Sequence, residues 1–137
     1  MPSHKVYVAA SSRELARAEG AIQALRDLGH EVTHDWPRMV RAVGEANPAD
    51  ADDVLRLQWA EEDLLGIRAA DTFWLLMPDY GGFGAGVELG YALGNLLGYV
   101  RVIVSGQHTN SIFTVYADAV YPTDLAALKA EFVSEVP

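Results

Sequence analysis

The sequence predicts an α/β fold, in which helices pack on a parallel β-sheet in layers. One observation predicts this fold, and two more predict that it forms a single domain. Short apolar runs of strand character alternate with longer segments of helical periodicity, as in βαβ units. The 137 residues, half of them hydrophobic, suit one domain with a single core. No repeat, low-complexity tract or linker divides the chain. We therefore predict a single α/β domain over residues 1–137.

The first elements are a strand, a helix and a second strand. "KVYVAA" (Lys5–Ala10) is short, apolar and followed by serines, which is typical of a buried strand. Ser11 or Ser12 can cap the next helix, whose apolar residues recur at helical spacing up to Gly29. The alternating segment His30–Asp35 predicts a short strand.

A long connection and a third strand come next. Trp36–Asp50 contains two prolines and clusters of small residues, which predicts an irregular loop, often a functional feature at that length. Helical periodicity returns at about Asp52 and ends before the central strand Thr72–Met77. The apolar residues expected largely on one side of this helix are Val54, Leu55, Leu57, Trp59, Leu64, Leu65 and Ile67.

The remaining elements follow a glycine-rich stretch, "DYGGFGAGVELGYALG" (Asp79–Gly94). We expect a helix from near Ala85 to about Leu97, then the strand Tyr99–Ser105. A loop with a helical turn precedes "AVYP", an expected edge strand, and Thr123 can cap the last helix.

Composition excludes several classes of function. Nineteen acidic and ten basic residues give a net charge of −9, and no Lys/Arg cluster offers a face for a nucleic-acid polymer or an anionic membrane. The absence of cysteine excludes disulfides and thiolate chemistry. The amino-terminal segment does not resemble a signal peptide, and no apolar run approaches the roughly 18 residues of a membrane span. A cytoplasmic protein is expected.

Motifs for metals and cofactors are also missing from the sequence. The four histidines are scattered; His30 and His34 could meet at a strand end, but nothing completes a metal-ligand set. Neither a Gly-x-Ser-x-Gly elbow nor a phosphate-binding Gly-x-x-x-x-Gly-Lys loop occurs, and "GGFGAG" lacks dinucleotide-binding spacing. We predict no metal and no cofactor.

The glycine-rich stretch is expected at the ligand-binding edge of the sheet. Parallel strands end on one rim, which brings together the segments after Ala10, Met77 and Ser105, and ligands bind in the crevice there. Gly84 and Gly86 would allow a ligand or another backbone to approach closely. The rim is therefore the predicted position of a small-molecule site.

Glu88 stands within this stretch. In the first turn of a helix its ionised carboxylate would be favoured, and it could serve as a nucleophile or stabilise a cationic transition state. The alternative is a favourable first-turn residue without a chemical role.

Asp63 and Tyr7 could complete a site with Glu88. A second carboxylate, Asp63, would suit cleavage of a glycosidic bond, where one group assists the leaving group and another meets the anomeric carbon. The alternative is an exposed helix residue. Tyr7 fits the core of the first strand, and its buried hydroxyl would need a partner such as a carboxylate.

Three segments in order resemble the nucleoside 2-deoxyribosyltransferase family, which includes the related 2′-deoxynucleoside 5′-phosphate N-hydrolases. They are "KVYVAAS", "EEDLLGIRAADTFWLLM" and "GAGVELGYALG", and the match runs from Lys5 to Ser105. The resemblance implies a flavodoxin/Rossmann-like three-layer sandwich with a five-stranded parallel sheet.

The resemblance also implies roles for residues. Glu88 would be the nucleophile, Asp63 would hold the nucleobase and help protonate it, and Tyr7 would orient Glu88. Ser11, Ser12 and Arg13 would lie where the phosphate-specific hydrolases bind the 5′-phosphate, although Arg13 equally suits an exposed helix charge. Asn110 or Ser111 would enter the site of a neighbouring subunit, which implies a homodimer or a larger homo-oligomer.

The implied substrate is a nucleoside or nucleotide, and three functions stay open. They are transfer of a deoxyribosyl group to another base or to water, hydrolysis of nucleoside 5′-monophosphates, and binding of a nucleotide or ADP-ribose-like ligand without turnover. Gly82 stands where the hydrolases carry a serine, which favours transfer. The segment from Trp36 to Asp50 would cover the base, with Trp36 and Met39 either stacking on it or anchoring the loop.

Overall fold

A five-stranded parallel sheet forms the centre of the protein, with the strand order β2-β1-β3-β4-β5. The computed structural model describes residues 3–44, 52–94, 99–109 and 111–133. The five parallel strands confirm the predicted α/β fold and its parallel sheet. The strands are β1 (Lys5–Ala9), β2 (Glu31–Val32), β3 (Thr72–Leu76), β4 (Arg101–Ser105) and β5 (Ala119–Tyr121).

Helices cover both faces of the sheet. They are α1 (Leu15–Asp27), α2 (Trp36–Val43), α3 (Asp53–Ala69), α4 (Phe83–Leu93) and α5 (Asp124–Phe132). Val6 and Val8 of β1 pack in one apolar layer with α1 and α5, whereas Tyr7 and Ala9 point to the opposite layer with α3 and α4. Alternation along the strand thus separates the two cores and sends Tyr7 toward α4. Among the described helices, none combines the length and apolarity of a membrane span.

The second strand is shorter than predicted. β2 covers only Glu31–Val32 instead of His30–Asp35. A side chain, rather than a backbone amide of a longer β2, bonds the next free carbonyl of β1. The Trp36 indole N–H donates to the Val8 carbonyl at 2.8 Å, and the Thr33 hydroxyl donates to the Gly66 carbonyl of α3 at 2.8 Å. The chain after Val32 therefore leaves the sheet edge and turns toward α3.

The loop predicted from Trp36 to Asp50 begins as a helix, so that prediction is wrong for its first half. Asp35 caps α2 by accepting from the Arg38 amide, and Pro37 lies in the first turn, where a proline costs no hydrogen bond. Gly44 ends the helix with a φ of 76°. Residues 45–51, which hold the rest of the predicted loop, lie outside the described residues.

The apolar side chains of α3 do not share one side, contrary to the prediction. Ile67 is buried and Leu64 packs beside it, but Val54, Leu57 and Leu65 are exposed. Positions 54, 57 and 65 recur at helical spacing on the outer side, so α3 has a second apolar stripe that no described part of the chain covers.

Candidate active site

A cavity of about 600 Å³ lies at the carboxyl edge of the sheet. Segments that follow β1, β2 and β3 form its walls with α3 and the start of α4. Its polar lining residues are Ser11, Ser12, Arg13, His34, Asp63 and Glu88. Its aromatic and large apolar lining residues include Trp36, Met39, Trp59, Leu64 and Phe83. A mostly apolar cleft with a few convergent polar groups is the usual form of a small-molecule site.

Tyr7 is hydrogen-bonded to Glu88, which lines this cavity. The Tyr7 hydroxyl donates a hydrogen bond to Glu88 Oε2 at 2.5 Å, and the tyrosine is fully buried. The predicted start of the glycine-rich helix was wrong: α4 begins at Phe83 after Gly82, which places Glu88 beyond the first turn. The free amides of the helix start therefore do not hold this carboxylate, and the tyrosine does.

Burial and a neighbouring charge set the ionisation of the pair. Removal from water raises the pKa of Glu88 well above its usual range, and the negative charge of Asp63 raises it further. The hydrogen bond from Tyr7 acts in the opposite direction and lowers the pKa of Glu88. Burial, followed by the charges of Glu88 and Asp63, likewise raises the pKa of Tyr7, so the phenol keeps its proton and remains a donor.

Tyr7→Phe tests the hydrogen bond to Glu88. Without the tyrosine hydroxyl the pKa of Glu88 rises further, so activity that requires the ionised carboxylate should be lost at a higher pH than in the wild type. We expect kcat/KM to fall by about 10- to 100-fold, because a hydrogen bond to a charged group contributes about 1.5–3 kcal/mol. Profiles of kcat/KM against pH measure both effects. Tyr80→Phe, at an exposed position, serves as the control, and an unmoved acid limb in Tyr7→Phe contradicts the assignment.

Asp63 faces the same cavity rather than solvent. It lies on the inner side of α3, its side chain is 30% exposed, and its Oδ1 is 3.2 Å from Nε2 of His34. His30, which the sequence allowed to meet His34 at a strand end, instead accepts from the His4 amide and contacts the Phe132 carbonyl elsewhere. In the described part of the chain, no cluster of three or more His, Asp or Glu could hold a metal ion.

The glycine-rich loop approaches the segment after β1. Gly81 and Gly82 have φ of 66° and 96°, values that favour glycine. A Cβ at Gly81 would meet Ser11 Oγ at 3.2 Å and Arg13 Cδ at 3.4 Å, so these two polar residues lie against the loop at the cavity. A Cβ at Gly82 would clash with Pro78 at 2.5 Å. Gly84 also lines the cavity.

Arg17 of α1 forms hydrogen bonds at the carboxyl end of the sheet, next to the glycine-rich loop. Its guanidinium donates to the Met77 carbonyl at 2.7 Å and to both Asp124 carboxylate oxygens at 2.6 and 2.9 Å. Burial alone would raise the pKa of Asp124, but its bonds from Arg17 and Ser105 bring it below the usual range. Glu14, itself paired with Arg17, accepts from the Asp79 amide at 2.9 Å. The first residues of the glycine-rich loop are thus held at the sheet edge. Arg17 and Asp124 are not among the site residues that the sequence predicts.

Two predicted substrate contacts, Gly86 and Ser111, are not brought to the cavity of this chain. Gly86 lies on the exposed side of α4, where an added Cβ would meet open space. Ser111 is exposed, and its hydroxyl accepts from the Phe113 amide. Asn110 lies outside the described residues. A contribution of Asn110 or Ser111 to a neighbouring subunit stays a prediction.

Comparison with solved structures shows a shared fold. The chain superposes with a TM-score of 0.64 on a 2-deoxyribosyltransferase from the psychrotolerant bacterium Bacillus psychrosaccharolyticus, described as a biocatalyst for nucleoside synthesis. The two are 24% identical, and the match covers 91% of this chain and 90% of the other. No protein-family model and no curated protein matches the chain. At this identity the likeness establishes the architecture, and the chemistry depends on the residues of the cavity.

Proposed function

We propose that this protein breaks the N-glycosidic bond of 2′-deoxynucleosides and transfers the deoxyribosyl group to another nucleobase or to water. The observation that carries the proposal is the hydrogen bond from the buried Tyr7 to Glu88, which lines the same cavity as Asp63. Paired carboxylates with different surroundings are what glycosidic cleavage requires. The similarity in fold to a 2-deoxyribosyltransferase supports the same reaction class.

Glu88, Tyr7 and Asp63 have different tasks in this scheme. Glu88, oriented by Tyr7, attacks the anomeric carbon; the carbon–nitrogen bond breaks, and its electron pair leaves with the base. Asp63 holds the base and assists its protonation. A nitrogen of a second base, or a water molecule, then attacks the anomeric carbon, returns a proton to Asp63 and releases Glu88 as a carboxylate. The apolar walls of the cavity limit water at this step.

The glycine-rich loop favours nucleosides over 5′-monophosphates in this proposal. The resemblance places a serine of the monophosphate hydrolases at Gly82, where φ is 96° and any Cβ would clash with Pro78. Ser11 and Arg13 at the cavity are the observation that supports the alternative, since an arginine and a hydroxyl suit a phosphate. One assay distinguishes nucleosides from 5′-monophosphates as substrates.

The assay follows free base by chromatography. The protein is incubated with deoxynucleosides and with their 5′-monophosphates, each with and without a second base. Release that rises with the second base and yields the exchanged nucleoside supports transfer; faster release from monophosphates supports the hydrolase alternative. Thermal stabilisation by these compounds without product would support a binding module instead. The proposal fails if no compound releases base.

We also propose that the active form is a homo-oligomer, at least a dimer. Exposed apolar side chains on α3, at the start of α4 and after Ser111 support it, because monomers rarely expose large apolar areas. They include Val54, Leu57, Leu65, Phe83, Val87, Ile112, Phe113, Val115 and Tyr116.

The oligomeric state can be measured directly by light scattering coupled to size exclusion. We expect at least twice the mass of one chain. Phe113→Ser and Val115→Ser together should shift the protein toward the monomer, whereas a substitution at Val120, exposed on the edge strand β5, should not. A wild-type protein of single-chain mass contradicts the proposal.

A further inference from the structure

Two side chains bind the backbone on both sides of Pro78, where the chain leaves β3 for the glycine-rich loop. Arg17 Nη1 donates to the Met77 carbonyl at 2.7 Å, and Glu14 Oε1 accepts from the Asp79 amide at 2.9 Å. The two side chains are also joined to each other, because Arg17 Nη1 donates to Glu14 Oε2 at 3.0 Å. We call this pair the Arg17–Glu14 clamp. Proline has no amide N–H, so the clamp binds the first amide that the loop offers after β3.

The clamp is more firmly fixed than an ordinary surface ion pair. The side chains of Glu14 and Arg17 are only 11% and 21% exposed. Arg17 also donates to both carboxylate oxygens of Asp124, which in turn accepts from the Ser105 hydroxyl at 2.7 Å. A Cβ at Gly106 would lie 3.1 Å from Arg17 Nη2, so the guanidinium is packed as well as hydrogen-bonded. Charge-assisted bonds of this kind fix geometry, whereas exposed ion pairs contribute little.

A short, folded segment connects the clamp to α4. Only four residues, Asp79–Gly82, separate Pro78 from Phe83, where α4 begins. The segment folds back on itself, since an added Cβ at Gly82 would lie 2.5 Å from Pro78. The Gly82 carbonyl also accepts the first backbone hydrogen bond of α4. With so little slack, a displacement of the Asp79 amide also displaces the start of the helix that carries Glu88.

The clamp can affect the cavity only through other residues, because neither Glu14 nor Arg17 lines it. The hydrogen bond from Tyr7 to Glu88 joins β1 to α4, so its length depends on where α4 lies against the sheet. We propose that Glu14 and Arg17 are positioning residues, which hold α4 where Glu88 meets the Tyr7 hydroxyl. The catalytic consequence rests on the proposed function, whereas the effect on the hydrogen bond does not.

Titration of the Glu88 carboxyl tests the clamp without turnover. Carbon-13 NMR follows this carboxyl, which is assigned by its absence from the spectrum of Glu88→Gln. The bond from Tyr7 lowers the pKa of Glu88, so a looser bond in Glu14→Ala should raise the midpoint. We expect a rise of about 0.5–1 pH unit, part of what a hydrogen bond to a charged group contributes. Loss of the Glu14 charge alone would lower the midpoint, so an unchanged or lower midpoint overturns the proposal. The other titratable groups that line the cavity are unaltered: Arg13, His34 and Asp63.

Steady-state rates test the catalytic consequence. A displacement of Glu88 of about 1 Å should lower kcat of Glu14→Ala by about 10- to 100-fold. Glu14→Gln keeps an oxygen for the Asp79 amide and should recover most of this loss, although it lacks the charge. Glu131→Ala is the control: this carboxylate is also 11% exposed and binds Arg101 through both oxygens, but at the amino end of the sheet. Equal losses of kcat in Glu14→Ala and Glu131→Ala would indicate general destabilisation and overturn the proposal.

A second variant covers the case in which Glu14→Ala does not fold. Arg17→Lys keeps the charge, but an ammonium does not reproduce the planar fork that binds Glu14, Met77 and Asp124 together. Its Glu88 midpoint should also rise. A wild-type protein that releases no base rejects the proposed function, yet a raised midpoint in these variants still upholds the clamp. A wild-type midpoint in the folded variants rejects the clamp, even in a protein that cleaves nucleosides.

Discussion

Glu88→Gln is expected to abolish base release, with a fall in kcat of at least about 10³-fold, the scale seen when a nucleophile is removed. Glutamine keeps the size of the side chain and can still accept from the Tyr7 hydroxyl, but its neutral amide is a poor nucleophile. The measurement is the initial rate of free-base formation from a deoxynucleoside. Glu61→Gln, an exposed carboxylate on α3, is the matched control and should retain full activity.

The same variant should be at least as stable as the wild type. Burial and the charge of Asp63 raise the pKa of Glu88 in the folded protein above its unfolded value. The unfolded state then binds fewer protons than the folded state between the two values, so the free energy of unfolding falls as the pH rises through the folded pKa. Glutamine at this position has no such loss. Melting at pH 5 and pH 8 should show a smaller decrease for Glu88→Gln than for the wild type, and a destabilised, inactive variant would instead indicate a structural role.

Gly66→Ala is expected to damage both the fold and the site. An added Cβ would lie 2.8 Å from His34 Cβ and 3.0 and 3.1 Å from two Tyr7 ring carbons. These three carbon atoms belong to packed side chains, so either α3 shifts outward or the side chains of His34 and Tyr7 move. We expect a loss of about 1–3 kcal/mol in the free energy of unfolding, as for other overpacked cores. Displacement of Tyr7 by about 1 Å should also lower kcat/KM by about 100-fold.

Denaturant unfolding and initial rates measure these two effects. Gly90→Ala is the control, because it lies on α4, where an added Cβ would meet open space, and alanine favours a helix. That variant should be as stable as the wild type or slightly more stable. A Gly66→Ala protein with wild-type stability and activity would show that α3 does not press on Tyr7 and His34.

Much of the fold follows from the sequence, because it depends on local periodicity. Apolar runs at β1, β3 and β4 and helical spacing at α1 fix the sheet and one of its layers. The start of α4 could not be read from the sequence, since a run of glycines offers several equivalent ends. In the structure the helix starts after Gly82, whose φ is 96° and where an added Cβ would clash with Pro78. The short β2 likewise depends on the Trp36 indole, a long-range contact.

The site was predictable where it depends on local periodicity, and not where it depends on contacts between distant segments. Alternation along β1 turned Tyr7 toward the layer that contains Glu88, and the structure joins the two side chains. The sequence pairs His34 only with His30, because both histidines lie near one predicted strand. Its better signal was its position after β2, at the carboxyl edge where Ser11 and Gly81 also lie. Gly66 gave no sequence signal of its own, since a helix glycine shows a close approach only when its neighbours are known.

The central claim is that Glu88 forms the bond to the sugar, and a slowed substrate tests it most directly. A 2′-deoxy-2′-fluoroarabinosyl nucleoside carries fluorine beside the anomeric carbon, which disfavours a cationic transition state and lets a covalent intermediate accumulate. Mass spectrometry of the intact protein should show the added mass of one fluorinated sugar, and peptide mapping should find it on Glu88. Base release without an adduct, or an adduct on any other residue, would contradict the account.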